Sequence, residues 1–293
     1  MKKVFLSLLV QTVVLALFSQ DLQKIQQDFE AQLKNGTNAY GHDSTKGKYY
    51  QVRGLSMYCE IYGEGQPLLI IHGNGGSIAD FVYQIPYFSK KYKVIIADSR
   101  AQGKSADKGD SLSYEMMADD YSALLTTLKI DSAYVIGWSD GGINALLLAI
   151  RHPEKVKKLA VTGANLVPDT SAVNQDVIEM VMPYYTSLKN KTVKTPDEKA
   201  QLKLLRLLVD EPHIPVTALE GIKSPALIIG GDHDILKPAH TLLMFQHIPN
   251  AYLWILPNSG HSTPIVYKDE FNKKVDDFFS TPYRKIEKQA RFF

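Results

Sequence analysis

Six short apolar runs recur along the chain: "PLLIIHG", "YKVIIAD", "SAYVIGW", "KKLAVTGAN", "SPALIIGGD" and "AYLWILP". Each is about one β-strand long, and their apolar residues run together rather than alternating, the mark of a strand buried on both faces. Helical stretches separate them: residues 77–92, "SYEMMADDYSALLTTLKI", "GINALLLAIRHP" stopped by Pro153, "AHTLLMFQHI" and "YKDEFNKKVDDFFS". Strands alternating with helices predict an α/β fold, a mostly parallel sheet covered on both faces. Ligands of such sheets bind outside the carboxyl ends of the strands. Before the first run, "YYQVRG" and "SMYCEIYG" read as a strand pair, with Met57, Cys59 and Ile61 on one face.

The rhythm breaks once. From Leu166 to Gly221, "AVNQDVIEMVMPYYTSLKN" and "DEKAQLKLLRLLVDE" are helical with no strand between them. An insertion that leaves and rejoins the sheet at its carboxyl edge can sit over the site as a cap. Met180, Met182, Tyr184 and Tyr185 are candidates to line a pocket beneath it, with Tyr184 a candidate to bind substrate. The plainer reading is that these side chains fasten the cap to the body. The expected division is a leader at 1–19, a polar lead-in at 20–48 and core at 49–165. A helical cap at 166–221, core at 222–281 and a tail at 282–293 follow.

The leader, "MKKVFLSLLVQTVVLALFSQ", places two lysines before an apolar stretch that ends at small Ser19. This is the layout of a secretory signal peptide cleaved near Ser19, and it predicts a periplasmic or secreted protein. An uncleaved anchor is the rival. The apolar stretch Val4–Phe18, interrupted by Gln11 and Thr12, falls short of the roughly 20 residues a span needs. Without Lys2 and Lys3, the 33 Lys and Arg fall to 31 and match the 31 Asp and Glu. A neutral chain with no clustered basic face argues against nucleic acid as a partner. Cys59 is the sole cysteine, so no internal disulfide can form.

Gly137-Trp138-Ser139-Asp140-Gly141 fits G-x-S-x-G, with a strand before it and a helix after it. So abrupt a strand-to-helix turn pushes its middle side chain outward. Glycines two residues before and after remove the atoms that would collide. Ser139 is thus presented at the N-terminus of a helix, where N–H groups and the helix dipole favour negative charge. A hydroxyl needs a base to act as a nucleophile. His261, in the polar loop "LPNSGHSTP" after the last strand, is the natural one, and His233 is its best rival. The imidazole needs a carboxylate partner. "IIGGDHDIL" offers Asp232 and Asp234, of which Asp234 is favoured because Asp232 can cap the turn. Asp169 is a more distant choice. In "HGNGG", flexible glycines let the backbone N–H of Asn74 point at a substrate oxygen. With the N–H of Asp140 it would form an oxyanion hole.

The order of these pieces, each at a strand end, resembles the α/β-hydrolase superfamily. The resemblance runs from about Tyr49 to Ser280 and rests on His72-Gly73-Asn74-Gly75-Gly76, Gly137 to Gly142, Gly231-Asp232-His233-Asp234 and Ser259-Gly260-His261. "DSRAQGKS", Asp98 to Ser105, is similar to the family's D-x-R-G-x-G-x-S stretch, with Ala101 where Gly is usual. That departure is expected to loosen one turn without touching the chemistry. The resemblance implies an eight-stranded sheet with one antiparallel strand near its start, and the roles nucleophile for Ser139, acid for Asp234 and base for His261. It implies no metal or organic cofactor. A serine at the elbow argues against haloalkane dehalogenases and epoxide hydrolases, which carry Asp there.

Within the superfamily, Gly-Trp-Ser-Asp-Gly-Gly most resembles the valacyclovir-hydrolase-like group, where the acidic residue after the nucleophile recognises a substrate amino group. Carried over, that residue is Asp140, which would favour α-amino-acid esters. Alternatively Asp140 serves only through its N–H, with its carboxylate solvated or capping the helix. The expected activity is hydrolysis of a small carboxylic ester. Rival readings keep the triad on another bond (carbon–carbon, thioester, amide or perhydrolysis) or make the chain a non-catalytic binding protein of the same fold.

Overall fold

The computed structural model of the protein describes residues 20–35, 40–107 and 109–287. The expected leader, 1–19, lies outside them, as do residues 288–293 of the tail. The chain begins with α1 (Gln20–Asn35), β1 (Gly47–Val52), β2 (Leu55–Tyr62), β3 (Gln66–Ile71), α2 (Gln84–Phe88) and β4 (Tyr92–Ala97). It continues with α3 (Tyr114–Thr127), β5 (Ala133–Trp138), α4 (Asp140–Arg151), β6 (Val156–Thr162), α5 (Gln175–Asn190) and α6 (Pro196–Asp210). Last come β7 (Ala226–Gly231), α7 (Pro238–His247), β8 (Ala251–Leu256), α8 (Thr263–Val266) and α9 (Lys268–Ser280).

The eight strands form one sheet in the order β1-β2-β4-β3-β5-β6-β7-β8. β2 runs antiparallel to both its neighbours, and β4, β3 and β5 to β8 are mutually parallel. Successive strand side chains point to opposite faces. Leu69 and Ile71 therefore join one core with Val135, Val161 and Ile228. Leu68 and Ile70 join another with Ile136, Ala160 and Ile229. α3 and α4 close the first core through Tyr121, Leu125 and Leu146. α2 and α9 close the second through Ile85, Phe88, Phe271 and Phe279, with Phe29 of α1 beside them. Burying one such side chain is worth roughly 1.5–3 kcal/mol. A one-residue slip would exchange the two sets, so the register that positions the strand ends is firmly specified.

One local expectation changes, and both ends of the described chain are held. The helix expected over 77–92 is a 3-10 turn, Ile78–Phe81, capped by Ser77 and followed by the short α2. Pro86 lacks an N–H and costs least in a helix's first turn, where α2 places it, so it favours a new helix starting just before it over one long helix through it. The end of the lead-in is tied down at Gly41 and Asp43. Buried Glu60 accepts hydrogen bonds from the N–H groups of Gly41 (2.8 Å) and Asp43 (3.1 Å) and from the hydroxyls of Tyr58 and Tyr62. The tail is docked where it begins: Tyr283 stacks on Tyr252, whose hydroxyl donates to the Arg284 carbonyl.

Between β6 and β7, α5 and α6 share a small core of their own made of Tyr185, Leu188, Leu202 and Leu205. α6 begins with a reciprocal cap between Thr195 and Glu198. It is fastened to the body where Lys203 Nζ meets Asp107 (3.1 Å) and the Gly109 carbonyl (2.6 Å). The start of α5 is pinned by Asn174, which donates its N–H to Ile235 O and its amide to Asp234 O. Among the described residues no helix is long and apolar enough to cross a membrane.

Candidate active site

Ser139 sits between β5 and α4 at φ 57°, ψ −123°, a strained conformation for a residue with a side chain. The glycines around it make the turn possible. A Cβ on Gly137 would lie 2.2 Å from the Gly141 carbonyl oxygen, and one on Gly141 would lie 2.0 Å from that of Ile71. The Ser139 carbonyl accepts the N–H groups of Gly142 and Ile143, which leaves the first amides of α4 facing outward.

The imidazole of His261 meets both expected partners. Its Nε2 is 2.9 Å from Ser139 Oγ and its Nδ1 is 2.7 Å from Asp234 Oδ1. "GGDHD" builds this arrangement piece by piece. Gly231 leaves room for the Ser259 carbonyl, which a Cβ would approach to 2.0 Å. Asp232 Oδ1 accepts the Ser259 N–H at 3.0 Å, and the His233 N–H donates to Ser259 O at 2.9 Å. The loop that carries His261 is thereby clamped over Asp234. Asp232 is thus the turn-capping carboxylate, and His233 points its side chain to solvent beside it. Asp169 is also set apart, its carboxylate taken by Ser171.

Burial opposes a charged His261, but the charge and hydrogen bond of Asp234, with Asp140 behind them, outweigh it and hold the imidazole pKa above its ordinary 6.5. Burial likewise opposes ionised Asp234. Positive charge on His261 and donors from the imidazole and backbone nonetheless leave it below the usual carboxylate value. His72 is fixed in the HG turn, where Nε2 accepts the Ser99 N–H and Nδ1 faces Gly73 O.

Asn74 and Asp140 lie on neighbouring strand ends, since β3 pairs with β5 through Ile71 and Gly137. Neither backbone N–H donates to another described residue. The Asn74 side chain, for which no role was expected, donates to Asp140 Oδ2 at 2.8 Å and to the Leu204 carbonyl of α6 at 3.1 Å. The Asp140 carboxylate is neither solvated nor a helix cap. It is buried, and burial pushes its pKa up to about 6 against the lowering effect of Asn74 and Tyr114. Tyr114 also reaches α6, donating to Leu207 O at 3.2 Å.

Tyr184 is not brought to this site. It sits on the outer surface of α5, and its hydroxyl donates to Gln201 of α6 at 2.8 Å. Met180 and Met182 are exposed too, while Tyr185 is buried and bonded to Asp210. Tyr184 and Tyr185 link the two helices to each other.

Two supporting contacts had no signal in the sequence. Trp138 Nε1 donates to the His261 carbonyl at 2.9 Å. Gln102 Oε1 accepts the Gly75 N–H at 2.7 Å. The second shows that "DSRAQGKS" braces the HGNGG loop rather than standing clear of it. Asp98 does the same, accepting from Ile78 N and Lys104 N. Nor is the turn loosened by Ala101, which keeps its bond to Ser105 O at a left-handed φ of 63°. Among the described residues no group of three or more His, Cys, Asp or Glu is placed to hold a metal ion.

The family model of the alpha/beta hydrolase fold matches residues 66–202, the stretch that carries the HG turn and the serine elbow. The chain belongs to the α/β-hydrolase superfamily. Its relatives include the human serine hydrolase BPHL, 29% identical over 261 residues, covering 82% of this chain and 88% of that protein. The 2-hydroxymuconate semialdehyde hydrolase of Pseudomonas sp. (strain CF600) is 26% identical and covers 83% of this chain and 97% of that one. Among solved structures, the enol-lactonase from Burkholderia xenovorans LB400 superposes with a TM-score of 0.65 at 25% identity, covering 80% of this hydrolase and all of the other chain.

Proposed function

We propose that this hydrolase cleaves small carboxylic esters through an acyl-enzyme intermediate. The observation that carries the reading is the continuous contact from Ser139 Oγ through the His261 ring to Asp234 Oδ1, at 2.9 and 2.7 Å. Ser139 Oγ attacks the ester carbonyl carbon while His261 Nε2 takes its proton. Asp234 holds the Nδ1–H tautomer and stabilises the imidazolium. The N–H groups of Asn74 and Asp140 receive the oxyanion. Collapse expels the alcohol, which leaves with the proton from Nε2. Water then attacks the acyl-enzyme with His261 again as base, and the carboxylic acid departs.

Ser139→Ala tests this. It abolishes p-nitrophenyl acetate hydrolysis and labelling by a fluorophosphonate while the thermal transition is kept. Equal activity in that variant would refute the reading. Cleavage of a carbon–carbon bond is the second reading, favoured by the likeness to the 2-hydroxymuconate semialdehyde hydrolase. A screen of esters against a vinylogous 1,5-diketone separates the two. Amine recognition by Asp140 has less support, because its carboxylate is already engaged by Asn74. Comparing an amino-acid ester with its N-acetyl form, in wild type and Asp140→Asn, decides that point. Export with cleavage near Ser19 is part of the proposal, and N-terminal sequencing of the mature protein tests it.

A further inference from the structure

An oxyanion hole works only if its donors are held where the negative oxygen will form, so that no reorganisation is needed during reaction. Here the two donors ride on different loops, and both loops are rich in glycine. Asn74 lies between Gly73 and Gly75, and Asp140 precedes Gly141 and Gly142. The neighbours of Asn74 are tethered: Gly75 N–H to Gln102, and Gly76 N–H to Gly73 O. The peptide of Asn74 itself has no such backbone tether. Its side chain does. Nδ2 has two hydrogens, and both are used, one on Asp140 Oδ2 at 2.8 Å and one on Leu204 O at 3.1 Å.

Asp140 is a buried acid at this site whose carboxylate neither attacks nor transfers a proton in the triad chemistry. A buried carboxylate is costly unless it is well partnered. An apolar residue could have supplied the same backbone N–H without that cost.

We propose that the Asn74 side-chain amide and the Asp140 carboxylate form a brace that sets the spacing of the two oxyanion donors, with the Leu204 carbonyl of α6 holding the brace in register. This rests on the serine-hydrolase reading above. The side chains are positioning groups, acting through the backbone amides of their own residues. Since Leu204 belongs to α6, the hole is complete only while that helix is seated.

The test uses p-nitrophenyl acetate, which has no amine, so that amine recognition plays no part. Asp140→Ala and Asn74→Ala are each expected to lower kcat about tenfold or more with KM little changed. The double variant loses little beyond the worse single one, because one brace is broken only once. Asp140→Asn keeps an oxygen that can accept from Asn74 and recovers most of the Asp140→Ala loss. A trifluoromethyl ketone, which forms the same oxyanion, weakens in parallel with kcat. Losses that multiply in the double variant, losses confined to KM, or an Asp140→Asn variant no better than Asp140→Ala each overturn the brace. If Asp140→Ala does not fold, the Asn74→Ala measurements with the ketone decide it. All folded brace variants still take up fluorophosphonate to completion, whereas a failure of the underlying reading removes that labelling dependence on Ser139.

Discussion

The ring of His261 rests against the backbone of Gly163, where a Cβ would lie 2.7 Å from Cε1 and 2.9 Å from Nδ1. Gly163 follows β6 and has a φ of 64°. Two requirements meet at one residue: a left-handed backbone and an empty face for the imidazole.

Gly163→Ala therefore acts on the proposed base, His261, without altering it chemically. The methyl group forces the ring off the line between Ser139 and Asp234. A misplacement near 1 Å costs about a hundredfold in rate, so kcat for an acetate ester is expected to fall by roughly that factor. The strained φ adds on the order of 1–2 kcal/mol of destabilisation. Kinetics and a thermal melt on the same sample separate the effects. A variant with wild-type kcat and only a lower Tm would show that the ring has room to spare.

Much of this was legible in the sequence, for identifiable reasons. The alternation of strands and helices and the serine elbow follow from local rules: continuous apolar runs, glycines at fixed offsets, helix starts. The preference for Asp234 over Asp232 also follows the turn chemistry of a short loop, and Asp232 does bond Ser259 there. What was not legible depends on contacts between segments far apart in the chain. Nothing local marks Gly163 as the floor under His261, or Trp138 as a donor to the His261 carbonyl. Tyr184 illustrates the converse. Its helical position allowed either face, and only the packing of α5 on α6 decides that it faces Gln201.

The pH dependence of activity follows from His261. In the proposed reaction its imidazole must be neutral to accept the Ser139 proton, and Asp234 holds its pKa above 6.5 despite burial. On the acid side, kcat/KM is expected to decline as pH falls through a value above 6.5, which reports the free enzyme. Asp234→Asn removes the charge that sustains this shift. The acid limb then moves to lower pH while the plateau rate drops by about 10⁴-fold, since the tautomer is no longer enforced. A pH–rate profile of both proteins checks this, and an unmoved limb would place the controlling ionisation elsewhere.

Ala101 offers a stabilising change away from the reacting groups. It holds a φ of 63° in a turn whose neighbour Gly103 is pressed against Asp98, 2.3 Å from where its Cβ would be. A left-handed alanine costs roughly 1–2 kcal/mol. Glycine removes that cost and gives back about 0.4–1 kcal/mol in unfolded-state entropy. Ala101→Gly should thus raise stability by up to about 1 kcal/mol, a Tm gain of a few degrees at most. Differential scanning calorimetry would register it. A lower Tm would mean that the methyl group contributes packing that outweighs the strain.

Asp140 makes stability itself depend on pH, with a sign opposite to that of most carboxylates. Its pKa in the folded protein is about 6, against 3.8 for the ordinary group, because burial disfavours the charge more than Asn74 and Tyr114 favour it. Between those two values the folded state binds the proton and the unfolded state releases it. This residue's contribution therefore falls as pH rises from about 4 to about 6 and stays low above that. A shift of about two units corresponds to a penalty on the order of 1–3 kcal/mol at neutral pH. Asp140→Asn removes the titration and keeps a hydrogen-bond acceptor. Its Tm is expected to exceed that of wild type at pH 7.5 and to approach it at pH 4. Equal Tm differences at both pH values would mean that Asp140 does not carry a buried charge in the folded enzyme.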